Sequence, residues 1–582
     1  MYPAPDKNGG PSLDRRRFLR GAVAGTVGLV AVGGATAMAP VPGTDTPTRT
    51  AWPVGADSGA EVFAHGVASG DPLADRVVLW TRVSGVTGLV GVGWQVASDP
   101  QMINVVAAGI EFTDGERDHT IKIDPILPVP GTTYWYEFTA SGATSIRGRT
   151  RTAPAGATDR VAFALVSCSN YTTGYFNGYA AVARRDDLDA VIHVGDWFYE
   201  YAGDGFDGRG HQPNREIVSL DDYRTRHAQY RTDEDLAAVM QQHPFVVVWD
   251  DHESTNNSWS GGAQNHQEDE GDWQTRKSIS ARAYDEWMPV RLPDPTNPLR
   301  IWRRLAFGDL VDLFLLDTRL PRTHPEIADT YDRTADDADR SMLGLEQRAW
   351  LLDGLATSTS RWRVLGQQTM MSPHRSFTQG EVPLPFLPDA VAEEIGVRQG
   401  GGAEGTDNWG AYAAERSLLL DHLRTATPPG NVVLSGDIHT AWACDVVEDP
   451  YTPTSYNPAT GAGSAAVELT SMSITSNNAI DFVGDSQASS EAIAEAYNLA
   501  IEAANPNVIH HDVAIHGYVL VDITPERTRG EFWQTGPAKI RNAVARLDTA
   551  VESVHGTEHL VTAIDPSATP VPVPAPAVSL QR

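Results

Sequence analysis

Cysteine is nearly absent from the 582 residues: Cys168 and Cys444 are the only two, too few for a disulfide framework. Positive charge is also scarce, with 45 Lys and Arg against 75 Asp and Glu and a formal net charge of −30 at pH 7. That balance argues against a nucleic-acid or anionic-membrane surface. It suits a soluble protein and is compatible with divalent cations, although a solvated acidic surface accounts for most of the charges. No Gly-x-Ser-x-Gly elbow and no His-Glu-x-x-His helix occurs, which weakens serine-hydrolase and zinc-protease readings. The Gly-x-Gly-x-x-Gly match at Gly203 to Gly208 follows an acidic loop and opens no helix, so it does not read as a dinucleotide site. Internal repeats are missing too. What remains is ordinary globular composition on a chain long enough for more than one core.

The N-terminus is more specific. "LDRRRFLRGAVAGTVGLVAVGGATAMAP" places Arg15 to Arg17 and Phe18-Leu19-Arg20 ahead of a Gly/Ala/Val stretch from Gly21 to Ala39. This pattern predicts a twin-arginine signal peptide over 1–39. The stretch is too rich in glycine and alanine for a membrane anchor, so no stable membrane span is expected. Pro40 directly after Ala39 makes cleavage at that bond awkward. The expected location is secreted, periplasmic or cell-wall associated, with the twin-arginine export machinery, which carries folded cargo, as a partner.

A Pro/Thr/Gly linker occupies 40–60. From 61 to 152, "DRVVLWTRV", "GLVGVGWQVAS", "HTIKIDPI" and "TTYWYEFTAS" are short β-rich runs between turn residues, predicting a small all-β sandwich of immunoglobulin or fibronectin type. From 158 to 545, apolar strand-like runs alternate with helical spacing in "EDLAAVMQQ", "TRKSISARAYDEWM" and "LEQRAWLLDGLA", which predicts a layered α/β (α+β) domain. The stretches 255–275 and 374–410 read as loops, and 546–582 as a C-terminal extension with a Pro-rich tail.

Four of the apolar runs stop at chemically active residues. Cys168 follows "FALV", Asp196 and Tyr199 follow "AVIHVG", Asp250 to Glu253 follow "FVVVW", and Asp437 and His439 follow "VVLSG". Ligands of layered α/β proteins bind at carboxyl ends of strands, so the four clusters meet if the strands are neighbours in one sheet. Ionised groups are rarely buried unless paired or bound to metal. A single acid after a strand is usually a cap, but four such clusters read as a metal site. Carboxylate, phenolate and imidazole favour hard or borderline ions, and a thiolate adds softer donation.

In order and spacing, "FAHGVASGDPLADRVVLWTRV", "VSCSNYTTGYFNGY", "HVGDWFYEY", "YRTRHAQYRTDEDL", "WDDHE…NN", "LGLEQRAWLLDGL" and "LSGDIHTAW" resemble the alkaline phosphatase D family. That family lies within the calcineurin-like metallophosphoesterases, and the resemblance runs from about Val62 to Trp533. It implies a sandwich of two sheets flanked by helices, preceded by the small β domain. It also implies hydrolysis of phosphomonoesters and phosphodiesters by metal-activated water or hydroxide, with iron(III) and calcium as cofactors. Some actinobacterial relatives act as phospholipase D, which is the alternative activity here. By matching motif, Cys168, Asp196, Tyr199, Asp437 and His439 resemble iron ligands and their neighbours. Asp251 stands where the wider superfamily has a metal-binding Asn, and His252 where it has the histidine that acts on the phosphate. Asn256 and Asn257 resemble the amide pair near calcium and phosphate, and Asn170 joins them as a substrate-binding candidate. The superfamily's usual Asp-x-His opening is replaced around Cys168, as is normal in this family. Gly410 and Asn507 depart from the family pattern at positions that bear on the substrate pocket.

The blander readings are a Cys168–Cys444 disulfide, His193 as a packed or supporting histidine, and His374 as an ordinary loop histidine. A non-catalytic calcium-binding surface protein is the remaining functional rival.

Overall fold

The computed structural model describes residues 61–325, 337–375, 407–478, 481, 487–542 and 544–563. The signal peptide, the linker, most of the 374–410 stretch and the Pro-rich tail lie outside the described residues.

The strands that carry the site are apolar along their whole length. Val161–Val166 (VAFALV) and Asn431–Ser435 (NVVLS) are buried at every position. Such unbroken runs form where a parallel sheet is covered on both faces. Val161–Val166, Ala190–His193 and Pro244–Val247 pair in parallel, in that order. They form the middle of a ten-stranded sheet that continues on one side through Gly517–Ile523, Arg527–Gln534, Arg546–Val554 and Val561–Thr562. A second sheet of seven strands has Asn431–Ser435 between Trp362–Gly366 and Ala466–Thr470, both parallel to it.

The two sheets pack face to face. Phe163, Leu165, Ile192 and Val246 from one meet Leu313, Val364, Val432 and Leu469 from the other. The rings of Phe163 and Phe307 cross edge to face at 4.9 Å, a pairing worth about 1 kcal/mol beyond its buried area. Helices cover the outer faces: Asn177–Val182, Leu220–Arg231, Glu234–Gln242 and Trp273–Trp287 on the first sheet, Gly344–Thr357 and Ala413–Thr425 on the second. Local sequence starts them well. Ser219 and Asp222 form a reciprocal capping box at the head of Leu220–Arg231, and Asp233 caps Glu234–Gln242.

The sheet pairing crosses both boundaries expected from sequence. Val67–Gly70 pairs in parallel with Pro244–Val247, and Val78–Arg82 and Thr120–Ile123 extend the ten-stranded sheet from there. Val105–Thr113, Val90–Ala97, Thr133–Ala140, Ala143–Thr144 and Gly148–Arg151 form the separate small sheet. At the other end, Arg546–Val554 pairs along the length of Arg527–Gln534, so the extension that begins at 546 continues the main sheet.

Candidate metal centre

The four expected clusters do come together, but not along one sheet. Cys168, Asp196 and Asp250–Glu253 follow adjacent parallel strands of the ten-stranded sheet, whereas Asp437 and His439 follow Asn431–Ser435 in the facing sheet. The centre therefore lies where the two sheets meet. Two glycines allow the approach. A Cβ on Gly195, whose φ is +117°, would stand 2.6 Å from the backbone nitrogen of Asp250. One on Gly436 would stand 2.7 Å from Cβ of Ser167.

Backbone strain marks the same positions. Cys168, Asp196, Asp437 and His439 all have φ between 56° and 68°, a region non-glycine residues seldom occupy. The turn at Cys168 is held by its N–H on the Gly195 carbonyl at 3.1 Å, while its own carbonyl accepts from Ser476 N and Oγ at 3.2 and 2.9 Å. Burial pushes the Cys168 thiol well above its usual range, with Asp196 adding to the effect. Both cysteines are buried and neither is in a disulfide, so the Cys168–Cys444 pairing is not formed.

Tyr199 donates to Asp196 Oδ2 at 2.7 Å, and its oxygen lies 2.6 Å from Ser476 Oγ and 3.1 Å from Nε2 of His439. Nδ1 of His439 sits 2.9 Å from the Asn477 carbonyl. Because a carbonyl only accepts, Nδ1 carries the proton and Nε2 is left as the lone-pair nitrogen facing Tyr199 and Asp196. Oδ1 of Asp196 and Oδ2 of Asp250 are buried with no hydrogen-bond partner. Unpaired buried carboxylate oxygens are costly, and a cation answers that cost.

The stretch "WDDHESTNN" divides its labour. Asp250 takes the Arg319 guanidinium on Oδ1. Oδ1 of Asp251 accepts from His252 N at 3.0 Å and Oδ2 from Asn257 N at 2.6 Å. Burial works against charge on Asp251, but Arg319 and His252 outweigh it and hold the carboxyl below the ordinary range. Glu253 braces two loops, accepting from the backbone N–H groups of Trp197 at 2.6 Å, Asp250 at 2.8 Å and Asp196 at 3.2 Å. Burial raises its pKa to about 8, with Asp196 adding to the rise. His252 sets Nδ1 2.6 Å from Glu200 Oε2, and its Nε2 has no partner among the described residues. Burial disfavours the His252 cation, yet Glu200, Asp196 and Asp251 outweigh that and raise its pKa well above the usual value.

The amide candidates separate. Asn256 sends Nδ2 to Gln264 at 2.7 Å and its N–H to Glu200 at 2.8 Å. Asn257 is tied to Asp251 through its backbone and leaves its side chain without a partner among the described residues. Asn170 uses Oδ1 on Thr172 N and Oγ1 at 3.0 and 2.8 Å, so half of its amide is spent on a local turn. His193 is kept neutral by burial, its pKa lowered to about 3. Its Nδ1 accepts from Gly195 N at 3.2 Å, so Nε2–H donates to Tyr179, which in turn donates to Ser169 Oγ. It is a supporting histidine beneath the Asp196 turn.

Sequence reasoning missed three residues. Arg319 is fully buried and reaches Asp250, Asp407, Asp437 at 2.6 Å and Asp251 at 3.8 Å. It follows the apolar strand Val311–Leu315, so the same strand-end rule finds it. Glu200, the His252 partner, sits inside the quoted motif. Ser476 carries no sequence signal of its own.

Three donor groups fit metal ions: Cys168, Asp196 and His439; Asp196, Asp251 and His252; and Asp250, Asp251 and Asp437, each with one ligand atom per residue and those atoms within 4.8 Å of one another. The mixed sulfur, nitrogen and oxygen set suits a borderline ion and the all-carboxylate set a hard one.

Residues 163–532 match the model of the PhoD-like phosphatases, and 48–154 match the N-terminal domain of the same phosphatases. Alkaline phosphatase D of Bacillus subtilis (strain 168) is 32% identical over 461 residues, covering 75% of this chain and 73% of the relative. The solved structure of PhoD superposes with a TM-score of 0.74 at 28% identity, covering 88% of this chain and 94% of its own. This chain belongs to the PhoD-like phosphatase family and is a hydrolase acting on phosphoric ester bonds.

Proposed function

We propose that the chain is an exported, metal-dependent phosphoesterase that holds iron(III) and calcium and attacks phosphate esters with water or hydroxide. The observation that carries this reading is the nearness of two donor groups, Cys168/Asp196/His439 and Asp250/Asp251/Asp437, whose members Asp196 and Asp251 have carboxylate oxygens within 4.8 Å of each other. Carboxylates so close together suit neighbouring cations. Cys168, Asp196, Tyr199 and His439 are the residues to hold iron(III), and Asp251 and Asp437 with Asp250 the residues to hold calcium. Such cations, when bound, offset phosphoryl charge and lower the pKa of a nearby water.

The side chains supply the rest. With Nδ1–H on Glu200, His252 offers Nε2–H to the leaving or phosphoryl oxygen, as a hydrogen bond or a proton. The Glu200 carboxylate beside Nδ1 favours the protonated ring. Arg319 fixes the directions of the Asp250 and Asp437 carboxylates. Asn257 is the better placed of the two amides to meet substrate, with Asn170 contributing its Nδ2. Export rests on the Arg15–Arg17 pattern and the apolar stretch behind it. No helix among the described residues is long and apolar enough to cross a membrane.

Metal analysis of protein made with iron and calcium, assayed in parallel on a monoester, a diester and phosphatidylcholine, tests the reading. Bound iron and calcium with phosphate-ester turnover support it, and full activity in a metal-free preparation overturns it. Choline release that exceeds monoester turnover moves the substrate class to phospholipase D and leaves the centre unchanged.

A further inference from the structure

Two tyrosine rings lie against His252, and the role given to the histidine uses neither. The ring of Tyr199 lies 4.1 Å from the imidazole at 39°, and that of Tyr201 lies 5.4 Å away, edge-on at 66°. Tyr199 is 4% exposed and spends its hydroxyl on Asp196 and Ser476. Tyr201 is only half-buried, and its hydroxyl has no partner among the described residues. Its backbone, by contrast, is firmly held. The Tyr201 carbonyl accepts from Nδ1 of His211 at 2.8 Å, and the buried Arg226 guanidinium grips the Tyr199 carbonyl two residues earlier. Nε2 of His211 then lies 3.2 Å from the Tyr230 hydroxyl, which locks the loop onto helix Leu220–Arg231. A flat, partly solvent-facing ring on a rigid mount suits contact with substrate better than contact with protein.

From this arrangement we infer that Tyr201 is a specificity-determining residue, the wall against which the alcohol portion of the phosphate ester packs as its oxygen meets His252. The inference rests on the assignment of His252 to the leaving-group oxygen. An ester bonded at Nε2 has the metal-donor side of the imidazole closed by buried Tyr199, so its organic part leaves along the Tyr201 side. The ring offers apolar area and an edge-to-face or stacked partner, which favours aryl over small alkyl leaving groups.

The test compares phenyl phosphate with butyl phosphate in the iron- and calcium-loaded full chain. Tyr201→Ala raises KM for phenyl phosphate by about three- to tenfold and leaves butyl phosphate nearly unchanged, while Tyr201→Phe stays close to wild type on both. Metal content is measured in each variant. A Tyr201→Ala loss equal on the two esters overturns the inference, as does a Tyr201→Phe loss as large as that of Tyr201→Ala. His252→Gln is run beside them. If it leaves both turnovers intact, the His252 assignment fails and the Tyr201 wall falls with it. If it lowers both alike while Tyr201→Ala shifts only the ratio, both assignments stand.

Discussion

At the scale of single residues, the chemistry of the centre follows from which lone pairs and protons are already committed. His252 has one nitrogen on Glu200 and the other open. Replacing it with glutamine should lower kcat by about 10²- to 10⁴-fold without changing metal content, measured by steady-state kinetics beside elemental analysis. Tyr199 should give iron-loaded protein a visible charge-transfer band. Tyr199→Phe removes the phenolate part of that band and leaves what the Cys168 thiolate supplies, and a colourless iron-loaded wild type would remove Tyr199 from the ligand set. Glu253 gives a pH prediction for metal-free protein. Its native pKa of about 8, against an ordinary 4.5, means that the folded state keeps a proton the unfolded state has released. Stability therefore falls as pH rises through that window, which thermal unfolding across it reads directly. A midpoint that climbs with pH there contradicts the assignment. The ligand-type residues were legible in sequence because they end apolar strands. Arg319 ends one too, but an arginine after a strand reads as surface until four aspartates are seen around it. The hydrogen bonds that choose Asn257 over Asn256 depend on loop conformation, which no periodicity records.

Among the elements, the strand ends were readable and their sheet membership was not. Unbroken apolar runs announce buried parallel strands, but nothing in "NVVLSGD" says that it belongs to the facing sheet. The meeting of the two sheets depends on missing side chains. Gly195→Ala puts a methyl group against Asp250 in a left-handed conformation, at a cost on the order of 3 kcal/mol. Differential scanning calorimetry should show the lower midpoint, and metal content should drop as the Asp250 turn is displaced.

For the molecule as a whole, the β-rich first part reads in sequence as a separate module because its runs are short and turn-bounded. Three of its strands also extend the main sheet, through a pairing between 69 and 244 that leaves no local trace, while Val67, Leu79 and Ile121 still pack with Val92, Val96 and Tyr136 in one core. A chain begun at 158 would expose the edge of Pro244–Val247, the strand that leads into Asp250–Glu253. Its expected behaviour is aggregation rather than a small active core, checked by size-exclusion chromatography of the truncated protein.

The pairing of Val161–Val166 with Gly517–Ile523 has a consequence for the order of events at the ribosome. A strand in the middle of the main sheet stays uncovered along one edge until more than 350 further residues have been made, since Val161 pairs with Ile523. The first strand among the described residues, Val67–Gly70, likewise waits for Pro244. Domain-by-domain folding during synthesis is closed to such a chain, because its sheet is completed only by its last strands. Such a chain must be kept from misfolding and aggregation until its closing strands have been made.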